Sequence, residues 1–173
     1  MKKLLKFFKN KKKNSKYYWR QVKKGLYKGN TLYLPKEWGD KVINEIHEPE
    51  IFQIIKKTVG SNKVFYDIGS HYGWFSIAWL CRGGGFVESF EPSLENAQII
   101  RKTIELNKYS SNHRLHDFAI GDKSMNSKLF MFPGDSSRNF VQDSNINSKD
   151  YDLSLLREIE IRTVDSLFYN QAL

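Results

Sequence analysis

The sequence predicts an α/β fold in which parallel strands alternate with helices. Apolar segments with strand character lie at residues 63–69, 83–91 and 113–121, and segments with helical spacing precede and separate them. Such alternation is typical of a parallel sheet with helices on both faces. The chain has 173 residues, of which 40% are hydrophobic, so it can form one globular domain of ordinary size.

The predicted helix before the first strand begins at Pro49, because proline is favoured at the first helical position. It ends at Gly60, since glycine is common just after a helix. The apolar residues that follow helical spacing are Ile51, Phe52, Ile54, Ile55 and Val59. The segment KVFYDIG then predicts the first strand, and GWFSIAWLCR predicts the helix after it.

The second half of the alternating region has the same pattern. The segment GGGFVESFE predicts a tight turn and the second strand, and SLENAQIIRKTIELNK predicts the next helix, with Ser93 as its N-cap. The buried stripe of this helix is expected to contain Leu94, Ala97, Ile100, Ile104 and Leu106. The segment HRLHDFAIG predicts the third strand.

The pattern changes after the third strand. The segment SKLFMF predicts a strand, and LREIEIRTVDSLF predicts another that leads into a helix or turn. Between them, residues 133–152 are rich in Ser, Asn and Asp and predict a long polar loop. Ser136, Ser137 and Arg138 lie in this loop, and we expect them at the surface.

The net charge of +9 is concentrated at the N-terminus. Residues 1–28 hold 12 Lys or Arg and no acid, which leaves 16 basic against 19 acidic residues in the rest of the chain. The sequence therefore predicts a basic, aromatic arm over residues 1–28. The rest of the chain, residues 29–173, is predicted to form a partial domain.

Two interpretations of the arm remain open, with RNA contact as a weaker third. Leu4, Leu5 and Phe8 fall on one side of a helix with lysines around them, a pattern that can lie on an anionic membrane. Alternatively, the arm is a solubilising tail whose apolar residues pack on the body. No segment approaches the roughly 18 consecutive apolar residues of a membrane-spanning helix. We expect a cytoplasmic protein, peripheral at the inner membrane face in the first interpretation.

The cysteine and histidine content argues against a metal site. Cys81 is the single cysteine, so an internal disulfide is excluded and a thiol-based metal site within one chain is not expected. His113 and His116 have no acidic or thiol partner at ligand spacing. We therefore predict no metal site, and a reducing compartment fits the cysteine count.

Three acidic residues mark the ends of the predicted strands. Asp67, Glu91 and Asp117 lie at or near the carboxyl ends, where parallel sheets bind small ligands. The turn over residues 67–73 differs from the dinucleotide motif G-x-G-x-x-G, because His71 stands where the second glycine is needed. The turn is therefore a poor cradle for a pyrophosphate.

A nucleoside with an amino-acid tail and no phosphate matches this turn better, and S-adenosylmethionine is such a molecule. The two glycines of the turn let the backbone approach the tail, and Asp67 is expected to face its ammonium group. Glu91 lies 24 positions after Asp67, near the spacing at which an acid meets the ribose hydroxyls. Asp117 and Phe118 are expected to hold the adenine by a hydrogen bond and an apolar contact.

With these features the chain resembles the FkbM-type methyltransferases, which are class I S-adenosylmethionine-dependent enzymes. The matching stretches are VFYDIGSHYGWFS, FVESFEPSLENAQIIRKTIELN, LHDFAIGD and IEIRTVDSL, over about residues 48–168. Ser70 replaces the alanine usual in the family, and the FEP triplet is the most specific match. The candidate cofactor-binding residues are Asp67, Gly69, Ser70, Gly73, Glu91, Pro92, Asp117 and Phe118.

The resemblance implies a Rossmann-like class I sheet and methyl transfer to an oxygen of a sugar or natural-product hydroxyl. The family continues into a strand of the K-x-D-V-E-G-x-E type, and nothing like it precedes Leu173. We therefore expect the N-terminal, cofactor-binding half of an incomplete domain. The alternatives are a non-catalytic remnant that binds a nucleoside or a partner and, more weakly, a nucleic-acid methyltransferase, which the acidic body disfavours.

His71 is the one candidate for catalysis, as a general base near a small-molecule or glycan acceptor. A lone histidine in a turn also serves packing or hydrogen bonding, and both interpretations remain open.

Overall fold

The structure is a computed structural model that describes residues 16–142 and 152–168. The helices are α1 (Gly39–Ile43), α2 (Pro49–Thr58), α3 (Trp74–Cys81), α4 (Leu94–Asn107) and α5 (Val164–Phe168). The strands are β1 (Tyr17–Gln21), β2 (Thr31–Pro35), β3 (Val64–Ile68), β4 (Phe86–Phe90), β5 (His113–His116), β6 (Ala119–Ile120), β7 (Met125–Phe130), β8 (Phe140–Val141) and β9 (Leu156–Arg162). None of these helices has the length and apolar character needed to span a bilayer, in the ranges described.

The centre of the fold is a parallel sheet with the strand order β3-β4-β5. Its register aligns Ile68 with Phe90 and Phe90 with His116, so the carboxyl ends of the three strands lie at one edge. Helix α3 connects β3 to β4, and α4 connects β4 to β5. The α/β fold with Rossmann-like parallel strands that the sequence predicts is therefore confirmed.

Both connecting helices pack on the same face of this sheet. Ser76 of α3 contacts Asp67 and Ser89, whose side chains share that face. Ile100 of α4 belongs to the same buried cluster as Val87 of β4. Because the strands follow one another in one direction and such crossovers are right-handed, the two helices fall on one side. In the described residues this differs from the expected arrangement with helices on both faces.

An antiparallel hairpin that the sequence patterns did not reveal precedes the parallel sheet. Strands β1 and β2 pair with each other, and Tyr27, Leu32 and Leu34 are fully buried. Exposed basic residues such as Lys23 and Lys24 stand here between buried residues such as Val22 and Tyr27. The basic composition of the segment therefore does not indicate a hairpin. The hairpin includes residues of the predicted arm. Leu4, Leu5 and Phe8 lie outside the described residues, and their membrane contact stays a prediction.

A second sheet follows the parallel one, with the order β6-β9-β7-β8. Strand β7 is antiparallel to both β8 and β9, and β6 is parallel to β9. Its small core contains Ala119, Leu129 and Ile159. The segment predicted as one third strand is thus divided between two sheets, and the segment predicted as a polar loop contributes strand β8.

The predicted helix termini agree with the structure. Pro49 is the first residue of α2, and Ser93 caps α4 by accepting a hydrogen bond from the Asn96 backbone N–H at 3.4 Å. Leu94 differs from its prediction, because it is 58% exposed. At 3.6 residues per turn it lies about a quarter turn from the buried face formed by Ala97 and Ile100.

The glycine triplet before β4 is expected to be sensitive to substitution at Gly85. A Cβ atom there would stand 2.3 Å from the Ser61 carbonyl oxygen and 2.8 Å from that of Lys63. Backbone atoms cannot yield as a flexible side chain does, so Gly85→Ala should lower the free energy of unfolding by roughly 3 kcal/mol. Urea denaturation measures this, with Gly60→Ala as the control, since its Cβ would approach only side-chain atoms, at 3.4 Å or more. Equal losses in both variants would contradict the expectation.

Candidate functional site

A cleft of about 610 Å³ opens at the carboxyl ends of β3 and β4. This volume is within the usual range for a small-molecule site. Its lining residues are Tyr17, Trp38, His47, Glu48, Ile68, Gly69, Ser70, His71, Trp74, Phe75, Phe90, Glu91, Pro92, Asn96, Ala119, Ile120, Leu129, Ser136, Ser137, Asn139, Phe140 and Val141. Among the described residues that line it there are two carboxylates and no Lys or Arg. The cleft therefore favours a neutral or cationic ligand over an anionic one.

Hydrogen bonds fasten the glycine turn to the end of β4. The Phe90 carbonyl accepts the backbone N–H groups of Gly69 and Ser70, at 2.9 and 3.0 Å. The Ser70 hydroxyl donates to the Asp67 carbonyl at 2.6 Å and accepts from the Phe90 N–H at 3.1 Å. An alanine in place of Ser70 would lose both side-chain bonds. The shape of the turn is therefore fixed before any ligand binds.

Three residues of this turn adopt left-handed backbone conformations. Gly69 and Gly73 have φ of 75° and 74°, and His71 has φ of 51°. This conformation is costly for a residue with a side chain, so His71 needs support from its surroundings. Its backbone N–H donates to the Glu91 carboxylate at 2.8 Å, which supplies part of that support. The His71 side chain is thereby turned into the cleft.

Glu91 connects three parts of the site. Its carboxylate accepts hydrogen bonds from the backbone N–H groups of His71 (2.8 Å) and Ser93 (2.9 Å) and from the Asn96 side-chain amide (3.3 Å). Burial raises the pKa of Glu91, and these three hydrogen bonds oppose the rise. Since a carboxylate has about four acceptor positions, one remains for a hydroxyl group of a ligand.

The Asp67 carboxylate lies behind the turn and does not line the cleft. It accepts hydrogen bonds from the Ser76 backbone N–H at 3.1 Å and from the Ser76 hydroxyl. Gly73, the N-cap of α3, has no side chain for this purpose, so Asp67 takes the capping role. Burial raises the pKa of Asp67 to about 6, against the opposing effect of the bonds from Ser76.

The hydrogen bonds of Asp67 continue across the sheet. The Ser76 hydroxyl is 2.7 Å from that of Ser89, which is 2.8 Å from the His113 Nε2 atom. Burial and, to a smaller extent, the nearby His116 lower the pKa of His113 to about 4. A neutral imidazole can complete this buried polar chain, so each of its hydroxyl groups has partners.

His71 meets a hydroxyl group at the opposite wall of the cleft. Its Nε2 atom lies 2.9 Å from the Ser136 hydroxyl, which is also 2.8 Å from the Tyr72 hydroxyl. Burial lowers the pKa of His71 to about 4, although the charge of Asp135 opposes this. The side chain is therefore neutral at pH 7 and able to accept a proton. Ser136, expected at the surface, is instead a lining residue.

The two residues predicted to hold adenine do not line the cleft. Asp117 is half exposed and pairs with the Arg101 guanidinium at 3.1 Å. Phe118 is buried beside Phe90, with ring centroids 5.9 Å apart, and the Arg162 guanidinium carbon lies 4.5 Å from its centroid. Their role in binding stays a prediction.

Of the candidate residues, Gly69, Ser70, His71, Glu91 and Pro92 come together at the cleft, whereas Asp67, Gly73, Asp117 and Phe118 do not line it. Trp38, His47 and Glu48 are among the lining residues that were missed, because they come from outside the strand–turn segments. A histidine next to an acid, in the segment IHEPE, was the available signal. No group of side chains in the described ranges has the composition of a metal site.

Neither a protein-family model nor a curated protein matches the chain. Among solved structures, it is similar to a putative methyltransferase, yhhF, from Escherichia coli, with 16% identity and a TM-score of 0.44 over 58% of this chain and 53% of that one. The tRNA m1G37 methyltransferase of Methanocaldococcus jannaschii shows 20% identity and a TM-score of 0.42, over 66% and 37%. Methyltransferase FkbM from Methylobacillus flagellatus KT shows 12% identity and a TM-score of 0.38, over 75% and 40%.

The structures with which the chain shares this weak similarity are thus methyltransferases. The chain spans about half the length of the first and little more than a third of the second.

The buried Asp67 carboxyl group predicts a pH-dependent difference in stability. Its pKa rises from 3.8 to about 6 on folding, so the folded state holds this proton more tightly than the unfolded state. The stabilisation that comes from the protonated Asp67 carboxyl group is fully present below about pH 4 and is lost as the pH rises through 6. At 1.36 kcal/mol per pKa unit the loss is roughly 3 kcal/mol.

Asp67→Asn removes this titration. Urea denaturation between pH 4 and 7 should therefore show the variant gaining stability relative to the wild type by up to roughly 3 kcal/mol as pH rises. His71, His113 and Glu91 also contribute to the pH dependence, but both proteins retain them, so most of their contribution cancels in the difference. The part that remains is the effect of the Asp67 charge, which raises the pKa of Glu91. A constant difference across the range would contradict the expectation.

Proposed function

We propose that the cleft binds S-adenosylmethionine and that the chain is the cofactor-binding part of a class I methyltransferase of FkbM type. The observation that carries the proposal is the charge of the cleft. A preformed glycine turn opens onto lining residues that, over the described ranges, include Glu48 and Glu91 but no Lys or Arg. In a chain of net charge +9, this distribution disfavours phosphate-bearing ligands at the turn.

The ligand's charge fits this environment. S-adenosylmethionine has a sulfonium and an ammonium group against one carboxylate, so its net charge is positive. A dinucleotide has two phosphates, which favour free backbone N–H groups and cations. The N–H groups of Gly69, Ser70 and His71 already bond to Phe90 and Glu91, and the described lining residues include no Lys or Arg. The two acids of the lining would therefore repel the dinucleotide and attract the methyl donor.

Individual residues have roles that follow from their contacts. Gly69 has no atom within 4 Å of the position of a Cβ atom, so a ligand can approach its backbone closely. Glu91 accepts three hydrogen bonds, so its carboxylate has one acceptor position left for a ribose hydroxyl. Phe90 and Pro92 add apolar surface at the same end of the cleft.

The cofactor supplies an electrophilic methyl group when it is bound. The chain's part would be to align an acceptor and to receive a proton. His71 is neutral, and its Nε2 atom contacts the Ser136 hydroxyl, which lies between His71 and Tyr72. An acceptor hydroxyl would take the place of this Ser136 hydroxyl. A newly methylated hydroxyl oxygen is a far stronger acid than an imidazolium of pKa about 4, so even this weak base can accept its proton.

The acceptor class rests on the family resemblance, which suggests a hydroxyl group of a sugar or other natural product. The pair of His71 and Tyr72 supports an alcohol, because a hydroxyl can donate to one and accept from the other. The contact of the N-terminal segment with an anionic membrane is a separate proposal, based on its lysines and apolar residues alone.

Calorimetry with S-adenosylhomocysteine tests the proposal, using a pair of matched glycine variants. Gly69→Ala and Gly83→Ala both place a side chain at a left-handed position, with φ of 75° and 81°, and both have open space around the new methyl group. Each should lose roughly 1 to 2 kcal/mol of stability. Only Gly69 lines the cleft, so only Gly69→Ala should lose binding, by tenfold or more.

Three outcomes decide between the functions. Absence of binding to the wild-type chain, or equal affinity in both variants, would overturn the cofactor site. Binding together with methyl transfer from labelled S-adenosylmethionine to a hydroxyl compound supports the enzyme. Binding that yields no transfer to any acceptor favours the non-catalytic remnant.

A further inference from the structure

The ammonium group of the proposed ligand needs an acid, and the residue predicted for it is turned away. The Asp67 carboxylate bonds to Ser76 behind the turn and does not line the cleft. Glu91, the second acid of the site, already accepts three hydrogen bonds at the other side of the turn. Among the described lining residues this leaves Glu48 as the acid with a carboxylate available to a cation.

The backbone at Glu48 is unusual for a residue with a side chain. Its φ and ψ are 51° and 59°, a left-handed conformation at the N-cap of α2. The side chain makes no capping hydrogen bond to the helix, so its carboxylate is not held by the N–H groups of the first turn of α2. Left-handed residues with side chains are concentrated at functional sites, where the surroundings hold them in place. Glu48 is a lining residue of the cleft, and its carboxylate is half exposed, with the His47 Nε2 atom 3.9 Å from its Oε1 atom.

The aromatic rings that line the cleft together with Glu48 pack against one another. The ring of Trp38 is 4.8 Å from that of His47 and 5.6 Å from that of Trp74, and His47 is 5.5 Å from Trp74. The Trp74 indole N–H donates to the Tyr33 carbonyl at 2.9 Å, which fixes this wall to the N-terminal hairpin. Ring faces attract cations, most strongly for tryptophan. We call the set Trp38, His47, Glu48 and Trp74 the cation corner.

The cation corner meets the glycine turn at His71, the residue whose backbone also contacts Glu91. The Trp74 ring is 5.8 Å from that of His71, while the backbone N–H of His71 bonds to Glu91. A ligand that placed its ribose at Glu91 would therefore extend its tail past His71 toward Glu48. The two acids would then bind opposite ends of the same molecule.

We propose that Glu48, backed by the rings of Trp38, His47 and Trp74, binds the ammonium group of the ligand's amino-acid tail. This inference rests on the proposed function, because it presupposes a nucleoside with such a tail. It assigns the tail to a residue that precedes the parallel sheet, and it gives Asp67 a structural role as the cap of α3.

The test compares two ligands and two variants. S-adenosylhomocysteine has the amino-acid tail, whereas 5′-methylthioadenosine has the same nucleoside without it. Glu48→Gln keeps the shape of the side chain and removes its charge, and Glu50→Gln makes the same change two residues away at an exposed position that does not line the cleft. Calorimetry gives the Kd of each ligand for the wild-type chain and for both variants.

We expect Glu48→Gln to weaken S-adenosylhomocysteine about tenfold or more and to leave 5′-methylthioadenosine within twofold of the wild type. Glu50→Gln should change neither Kd. Equal effects of the two variants on S-adenosylhomocysteine would overturn the inference, as would an equal loss of both ligands in Glu48→Gln. If the wild-type chain binds 5′-methylthioadenosine but not S-adenosylhomocysteine, the tail site is wrong and a nucleoside site remains. If it binds neither ligand, the proposed function fails together with the inference.

Discussion

The hydrogen bonds from Gly69 and Ser70 to the Phe90 carbonyl hold the end of β3 against the end of β4. Because these bonds fix the path of the turn, they also fix where α3 begins and which way His71 points. Glu91 follows Phe90 directly, so its carboxylate is delivered to the His71 backbone N–H by the same junction. The position of the cleft, the orientation of its acids and the start of the first crossover helix all depend on this one connection.

The junction is built from groups that are costly to bury. Asp67, Ser70, Ser76, Ser89 and Glu91 are all buried, and each is hydrogen-bonded. Hydrogen bonds to each of these side chains offset the cost of burying them. The raised pKa values of Asp67 and Glu91 show that burial still dominates over these bonds. The junction thus combines a rigid turn with two buried acids that backbone and side-chain donors hold in place.

The surroundings of the cleft come from distant parts of the chain. The N-terminal hairpin positions Trp74, the segment before α2 supplies Trp38, His47 and Glu48, and the second sheet brings Ser136 to His71. Each contribution is a contact between residues far apart in sequence. The parallel sheet forms the base of the cleft, and the side chains from these distant segments determine which ligand the cleft can bind.

Local patterns in the sequence were sufficient for the regular elements of the sheet. The alternation of strands and helices, Pro49 at the start of α2 and the Ser93 cap of α4 reflect propensities that act within a few residues, and the structure contains all of them. Leu94 shows the limit of such patterns, because its burial depends on which face of the helix meets the sheet. The same limit applied to the hairpin, where the basic residues concealed a buried core.

The sequence by itself determined the α/β order, the glycine turn and the presence of acids at the strand ends, because these depend on backbone preferences and on residue type. Only the tertiary structure decided which acids face the ligand. Asp67 is aligned with Ser89 within the sheet, whereas Glu91 follows the last residue of β4, and the first acid caps α3 while the second lines the cleft. The physical reason is that a side chain at a strand end follows its strongest available partner, and for Asp67 that partner is the N–H and hydroxyl of Ser76, brought near by the packing of α3 on the sheet.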